Sequence, residues 1–372
     1  MNNPFIISEL SENDAFCDRE IEQKELISHA RNKANVVIVS PRRYGKTSLV
    51  KRVQSNLSAM GIVPLYIDFY GVDSVGSIID NIVSCFYRYC HFHKKTKWFI
   101  SGLRPIIEID PTDGSASFSI EPSKKRRGIE FLREILDDFG KVATTHKEGF
   151  SVVFDEFQEI TELPESKQLE GVMRSCIQTH HNVSYFFVGS RRSVLKAIFN
   201  EKKRAFFQSA INYPLSPLPE KEAVVFISDR FKEAGKECPA DIAKSVYNTV
   251  GGYPVYIQRI PYSIYEVSKG DIVTHDDYKK GLLKAIEEQK AYYESLLTPL
   301  SIQQKRLFAA ISKEPTANLF SVKYMYDHDL GSYGGVQGAF KKLLQLDYIE
   351  KRDDGIYYVV DPVFALWMRT RH

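Results

Sequence analysis

The sequence has 372 residues, of which 43% are hydrophobic, and its 50 basic and 47 acidic residues leave a formal net charge of +3. A chain of this length and composition is long enough for two or three packed units. The near balance of charge excludes a chain-wide basic surface for nucleic acid, so any nucleic-acid contact must depend on a local patch.

The cysteine and N-terminal patterns predict a cytoplasmic protein. Five cysteines are spread irregularly through a large chain, which is typical of a reducing compartment. Residues 1–14 are polar and acidic and lack the basic and apolar segments of a signal peptide. No apolar run approaches the roughly 18 residues that a membrane-spanning helix needs, so we expect no membrane partner.

The first part of the chain alternates between helix and strand patterns. Apolar β-branched runs such as Val36–Val39 are typical of parallel strands that are buried on both faces. A predicted β-hairpin over about 104–122 interrupts the alternation, with its turn at 111–114. The other predicted elements in this part are helices 20–32, 45–60 and 77–91 and strands 64–70, 151–154 and 185–188. This order predicts the α/β class, with a doubly wound parallel sheet.

Helix patterns dominate after residue 217. The predicted helices are 219–234, 239–249, 254–268 and 275–296, and three more precede a hairpin at 348–360. Three helices followed by a two-stranded wing are the pattern of a winged helix. We therefore predict an α/β core over 1–217, a helical lid domain over 218–297 and a winged-helix domain over 298–372.

The segment after the first strand matches a phosphate-binding loop. It fits the pattern of Gly, any four residues, then Gly-Lys-Ser/Thr, except that Ser40 replaces the first glycine. The N–H groups at a helix start attract phosphate, and Gly45 lets the backbone approach closely. Lys46 is placed to hold the β- and γ-phosphates, and the Thr47 hydroxyl to bind Mg²⁺. We predict that ATP is bound by Ser40, Pro41, Arg42, Arg43, Tyr44, Gly45, Lys46, Thr47 and Ser48.

A second motif, Val152–Gln158, places two carboxylates after a buried strand. Asp155 is at the position that anchors Mg²⁺, and Glu156 is placed to act as general base on the attacking water. Adjacent carboxylates repel each other unless a cation is near, which favours a metal site; a regulatory or N-capping role for Glu156 is the alternative. Because the ends of parallel strands meet at one crevice, we expect Lys46 and Asp155 to converge from neighbouring strands.

These motifs resemble those of the archaeal-type ATPases, which are AAA+-like proteins in the STAND group of P-loop ATPases. Residues 40–49 match the family's loop except at the first position, and residues 155–159 are similar to its second motif. Residues 16–20 resemble the family's Phe-x-x-Arg-Glu opening. The resemblance covers nearly the whole chain and implies an AAA+-like core, ATPase activity with ATP and Mg²⁺, and a place for Arg19 at the nucleotide.

Two further elements have roles that only the resemblance implies. The sequence Phe-Phe-Val-Gly-Ser, which ends at Ser190, resembles the sensor-1 strand. Ser190 would then contact the γ-phosphate or the attacking water, as a third catalytic residue beside Lys46 and Glu156; a plain turn is the alternative. The sequence Gly-Gly-Tyr-Pro is similar to an element that brings Pro254 to the nucleotide; a helix end followed by proline is the alternative. The candidates for an arginine finger are Arg191, Arg192 and Arg204.

The predicted recognition helix of the winged helix spans about 335–346. Its residues suited to DNA contact are Gln337, Lys341, Lys342 and Gln345. The wing, however, carries Asp353 and Asp354, and the domain lacks the basic stripe of a strong DNA binder. A DNA partner and a protein partner therefore both remain open.

Together these patterns predict a slow ATPase that acts as a nucleotide-dependent switch coupled to the winged helix. The alternative is a DNA-binding regulator in which ATP is a structural or gating ligand. An ATP-dependent scaffold is a third possibility that no feature of the sequence tests. A homo-oligomer also remains open, because AAA+ relatives assemble into rings whereas STAND relatives stay monomeric until triggered.

Overall fold

The computed structural model describes residues 3–8, 14, 16–17, 19–92, 103–109, 116–122 and 128–371. The chain divides into two compact units. The sheet unit comprises Glu20–Ser40 and Lys46–Leu215, and the helical unit comprises Met1–Arg19, Pro41–Gly45 and Ser216–His372. Within the described ranges, no helix is both long enough and apolar enough to cross a membrane.

The sheet unit is built on five parallel strands in the order β2-β5-β6-β1-β7. The strands of this unit are β1 (Val36–Val39), β2 (Val63–Asp68), β3 (Leu103–Ile109), β4 (Ala116–Pro122), β5 (Phe150–Asp155), β6 (Val183–Val188) and β7 (Ile211–Pro214). Every residue of β1, β5 and β6 is buried, which explains their continuous apolar sequences. At the predicted hairpin, β3 and β4 pair antiparallel, and the predicted turn at 111–114 lies outside the described residues.

The strand order corrects one prediction. The strand before Lys46 (β1) and the strand that ends at Asp155 (β5) were expected to be neighbours. In the structure, β6 lies between them. The connection from β5 through a helix returns to the adjacent position in the sheet, as is usual for right-handed crossovers, and β6 thereby fills the place next to β1. Its final residues are consequently brought to the same edge of the sheet as both motifs.

The described residues of the sheet unit also form six helices and one 3₁₀ turn. They are α1 (Glu20–Arg31), α2 (Lys46–Ala59), α3 (Val75–Phe92), α4 (Ile129–Thr145), the 3₁₀ turn (Phe157–Glu162), α5 (Ser166–Thr179) and α6 (Arg192–Asn200). The sequence patterns predicted the first three helices and did not predict α4 or α5. An aromatic cluster lies in the core beside the second motif, where the rings of Phe157 and Phe187 have centroids 4.7 Å apart. Such packing fixes the end of β5 and the turn that follows it.

The helical unit contains the remaining elements. They are α7 (Glu220–Glu233), α8 (Ala240–Val250), α9 (Pro254–Val267), α10 (His275–Glu288), α11 (Lys290–Leu297), α12 (Ile302–Lys313), α13 (Val322–Asp327), α14 (Tyr333–Gln345), β8 (Ile349–Lys351), β9 (Tyr357–Val359) and α15 (Pro362–Thr370). The helix predicted over 275–296 is broken at Gln289, which ends α10 and precedes α11. Helix α15, which was not predicted, packs against α8, α10 and α12. The predicted fold class, an α/β P-loop sheet with helical and winged-helix parts, is confirmed.

Candidate nucleotide-binding site

Lys46 is the first residue of α2, and its side chain is buried. Its ammonium group donates to the carbonyl oxygen of Ser40 at 3.1 Å and to the Ser40 hydroxyl at 3.3 Å. Within the loop it is Arg43 and Gly45 that have positive φ, 69° and 73°. The serine in place of the usual first glycine therefore needs no left-handed conformation, and it supplies an extra acceptor for the lysine.

Asp155, at the end of β5, accepts hydrogen bonds on both carboxylate oxygens. The Thr47 hydroxyl donates to Oδ2 at 3.3 Å, the Tyr66 hydroxyl donates to the same oxygen, and the Glu156 N–H donates to Oδ1 at 2.9 Å. Burial raises the pKa of Asp155, and the donors from Tyr66 and Glu156 act in the opposite direction. Sequence patterns predicted Thr47 and Asp155 but missed Tyr66, since nothing local in β2 marks its partner on another strand.

The oxygen atoms around Asp155 fit a magnesium ion. Mg²⁺ prefers hard oxygen ligands and is usually bound by one or two carboxylates together with substrate phosphates. Thr47 and Asp155 supply a hydroxyl and a carboxylate oxygen 3.3 Å apart. The carboxylates of Glu156 and Asp68 also raise the pKa of Asp155, so a cation there would relieve repulsion among three acidic groups.

Glu156 has a left-handed backbone, with φ of 48° and ψ of 39°. Its Oε2 atom accepts from the Ser190 hydroxyl at 2.9 Å, from the Ser190 N–H at 3.2 Å and from the Gln158 side-chain amide. A Cβ added at Gly189 would lie 1.8 Å from Gln158 Oε1, so this residue must be glycine for the amide to approach. Ser190 and Glu156 are therefore in contact, their catalytic roles stay predictions, and the contact from Gln158 was missed.

The other predicted binding residues lie in the helical unit or within α2. Arg42 donates to the Tyr292 hydroxyl at 3.3 Å. The position of a Cβ added at Gly45 is 3.9 Å from the Pro254 side chain, and Pro254 is the first residue of α9. Arg19, Pro41 and Tyr44 are buried, and Arg19 has a φ of 72°. The remaining predicted residues are Arg43, in the loop, and Ser48, in α2. Their roles at a nucleotide stay predictions.

The arginine-finger candidates all lie in the sheet unit and contact its own residues or interior. Arg204 forms an ion pair with Glu170, whose side chain is only 4% exposed. Arg191 pairs with Glu159 at 3.4 Å and Glu162 at 2.8 Å, and Arg192 is buried. Structural ion pairing thus accounts for Arg204 and Arg191 in this conformation.

Known proteins share the sequence family and the fold of this chain. Residues 16–260 match the family described as an ATPase domain predominantly from Archaea, and residues 291–370 match a probable winged helix domain. No curated protein sequence matches the chain.

Two solved structures have the same fold at low identity. The Walker-type ATPase PABY2304 of Pyrococcus abyssi has a TM-score of 0.73 and 17% identity, over 98% of this chain and 99% of that one. The ORC2 protein of Aeropyrum pernix, solved as ADPNP–ADP complexes, has a TM-score of 0.60 and 14% identity, over 98% and 97%. The family match covers well over half of the sequence and confirms the resemblance. The chain belongs to the family of ATPase domains found predominantly in Archaea, and it ends in a winged helix domain.

Proposed function

We propose that this protein binds ATP with Mg²⁺ and hydrolyses it slowly, as a nucleotide-dependent switch that acts through its winged helix. The observation that carries the proposal is the convergence of five side chains from separate segments of the sheet unit. Lys46 and Thr47 begin α2, Asp155 ends β5 and is followed by Glu156, and Ser190 follows β6. A charged lysine, a hydroxyl–carboxylate pair and a second carboxylate are the parts that phosphoryl transfer to water requires.

The residues divide the chemistry among them. The start of α2 and the Lys46 ammonium would hold the β- and γ-phosphates, and Thr47 and Asp155 would hold Mg²⁺. Mg²⁺ held there would neutralise the negative charge that develops on the phosphate groups. Glu156 would take a proton from water as the water oxygen bonds to the γ-phosphorus and the bond to the β–γ bridging oxygen breaks. ADP and inorganic phosphate are the products.

The hydrogen bonds of the proposed general base are our reason for proposing slow turnover. Glu156 Oε2 already has three donors, two from Ser190 and one from Gln158. These donors restrain the carboxylate and stabilise its ionised form, which makes it a weaker base toward a water molecule. An ATP-bound state that persists until the protein changes conformation is suited to a switch rather than to a motor.

The comparisons support nucleotide binding but do not indicate a biological pathway. The Aeropyrum pernix protein with the same fold was solved with ADPNP and ADP, and the Pyrococcus abyssi protein is named a Walker-type ATPase. We extend nucleotide binding to this chain because Lys46, Thr47 and Asp155 supply the groups that such a ligand needs.

The test compares nucleotide binding with phosphate release in the purified protein. Lys46→Ala is expected to lose ATP affinity, because the phosphates lose their main cation. Glu156→Gln is expected to bind ATP and to release phosphate about 100-fold more slowly, since removal of a general base costs about that much or more. Glu162→Gln is the matched control, because this carboxylate is 59% exposed and pairs only with Arg191 among the described ion pairs. Hydrolysis at the wild-type rate by Glu156→Gln would refute the mechanism.

A second candidate function is DNA binding by the winged helix, with ATP as a gating ligand. The observation in its favour is that all four predicted contact residues of the recognition helix are exposed: Gln337, Lys341, Lys342 and Gln345. Against it, the acidic pair at 353–354 is exposed on the wing, and the two basic wing residues lie over tyrosine rings. A protein partner therefore remains an equal outcome for this surface.

A further inference from the structure

One arginine of the phosphate loop is held inside the helical unit. The Arg43 guanidinium donates to the Tyr256 hydroxyl at 3.1 Å and to Gln289 Oε1 at 3.1 Å. It also lies 4.3 Å from the centre of the Tyr292 ring and 3.9 Å from Asp361 Oδ2. An arginine held by an anion, two polar groups and an aromatic face has most of its binding capacity filled by protein.

The anionic partner, Asp361, belongs to the winged helix. It is the N-cap of α15, where its Oδ1 accepts from the N–H groups of Val363 and Phe364, both at 3.0 Å. Its Oδ2 accepts from Tyr256 at 2.6 Å. Burial raises the pKa of Asp361, and the Tyr256 hydroxyl and the Arg43 guanidinium counter this by favouring the ionised form. A residue of the phosphate loop is therefore one of the groups that stabilise the ionised form of this partly buried carboxylate.

A second connection runs beside the first. The Tyr44 ring packs edge-on against Tyr253, with centroids 4.6 Å apart, and the Tyr253 hydroxyl donates to the carbonyl oxygen of Val360. Two successive loop residues are thus joined to two successive residues of the winged helix. Each connection passes through a tyrosine at the start of α9.

The backbone makes Arg43 sensitive to a change in the loop. Its φ of 69° is a left-handed conformation that is unfavourable for a residue with a side chain. Such a conformation persists only where surrounding contacts hold it. Arg43 lies three positions before Lys46 in the chain, so a loop that rearranges around phosphate changes the geometry available to the guanidinium.

We propose that Arg43, Tyr256 and Asp361 form a latch that couples nucleotide occupancy of the phosphate loop to the order of the C-terminal helix α15. This inference rests on the proposed function, and it specifies how the switch reaches the winged helix. Arg43 and Asp361 are positioning residues in this account: they act through the loop and the helix cap and not on the reacting atoms. By reciprocity, whatever binds the winged helix and moves α15 also changes nucleotide affinity.

The test uses the full chain and two substitutions that each remove one charge. Asp361→Asn keeps the side-chain size and a good N-cap but removes the charge that faces Arg43. Arg43→Gln removes the other charge and leaves the cap untouched, so it reports on the latch even if the first variant folds poorly. Asp353→Asn is the matched control, because it makes the same charge change at an exposed position of the same domain.

The measurement is amide hydrogen exchange of 362–370 with and without ATP and Mg²⁺, at nucleotide concentrations that saturate each variant. In the wild type and in Asp353→Asn, nucleotide is expected to change the exchange rate of α15 by about fivefold or more. Arg43→Gln and Asp361→Asn are each expected to abolish this change. The double variant should show no further loss, because both residues serve one connection.

The outcomes separate the latch from the proposed function. If the wild type binds ATP and Arg43→Gln still transmits the full change to α15, the latch is overturned and ATP binding stands. The latch is supported if both single variants bind ATP but show no nucleotide-dependent change in the exchange of α15, and if the double variant shows no further loss. A wild-type protein that binds no nucleotide overturns the proposed function itself, and the latch with it.

Discussion

Replacing Tyr66 with phenylalanine tests how the carboxylate of Asp155, the proposed Mg²⁺ ligand, is stabilised when no metal is bound. Tyr66 lies in β2, in register with Val153 of β5, and its hydroxyl donates to Asp155. Burial raises the pKa of Asp155, so the ionised carboxylate opposes folding unless donors compensate it. The substitution removes one such donor and leaves the aromatic ring in place.

The expected loss of stability can be worked from this contact. A hydrogen bond to a charged group contributes about 1.5–3 kcal/mol, and the half-buried ring of Tyr66 argues for the lower end, about 1.5 kcal/mol. The pKa of Asp155 rises further in Tyr66→Phe, since a donor to the ionised form is gone. The stability difference is therefore full at pH values above the raised pKa of Asp155 in both proteins, and it shrinks as the pH falls through those two pKa values.

Magnesium and ATP should reverse the effect. If Tyr66 stabilises the metal-free carboxylate, its removal favours the metal-bound state by the same free energy, which is about tenfold in Mg²⁺-dependent ATP affinity. Urea unfolding with and without Mg²⁺ and ATP measures both quantities. Tyr70→Phe is the control, because that ring is 78% exposed and lies beyond the end of the same strand. Equal stability, or weaker Mg²⁺-dependent binding in Tyr66→Phe, would show that the reasoning about Asp155 is wrong.

Two further predictions concern acid stability and DNA. Burial lowers the pKa of His180 from 6.5 to about 4, so the free energy of unfolding should fall by about 3 kcal/mol as the pH drops through this window, and His180→Gln should remove most of that slope in urea titrations. If the free energy of unfolding varies with pH equally in the wild type and in His180→Gln, this prediction is wrong. If the winged helix binds DNA, Lys341→Ala with Lys342→Ala should reduce the slope of log affinity against log salt by about 2, whereas the exposed pair Lys202 and Lys203 should not change it. An unchanged slope in the first pair would exclude this helix as the DNA contact.

Local patterns predicted the elements that depend on local chemistry. The apolar run Val36–Val39 became a strand with every residue buried, and Gly-Lys-Thr marked the start of α2 to within one residue. Both depend on burial or backbone freedom that neighbouring residues encode. The convergence of Lys46, Thr47 and Asp155 was also predictable, because parallel strands bring their ends to one edge.

Contacts between distant segments were not predictable in this way. The bond from Tyr66 to Asp155 depends on the alignment of β2 with β5, and the amide of Gln158 reaches Glu156 only because residue 189 is glycine. No periodicity in the sequence reports either pairing. The break at Gln289 has a similar origin, since it places the amide oxygen of this residue on Arg43, more than 200 positions earlier.

The order of strands also has a consequence for biosynthesis. Strand β1 finds its partners in β6 and β7, where Val36 pairs with Phe186 and Ile211, so its nearest neighbour in the sheet is translated roughly 150 residues later. At about 5–20 residues per second, an apolar segment that will carry the phosphate loop waits on the order of ten seconds at the ribosome without a partner strand. The nucleotide site is therefore assembled late, and nascent chains of this protein are expected to need chaperones until residue 214 has emerged.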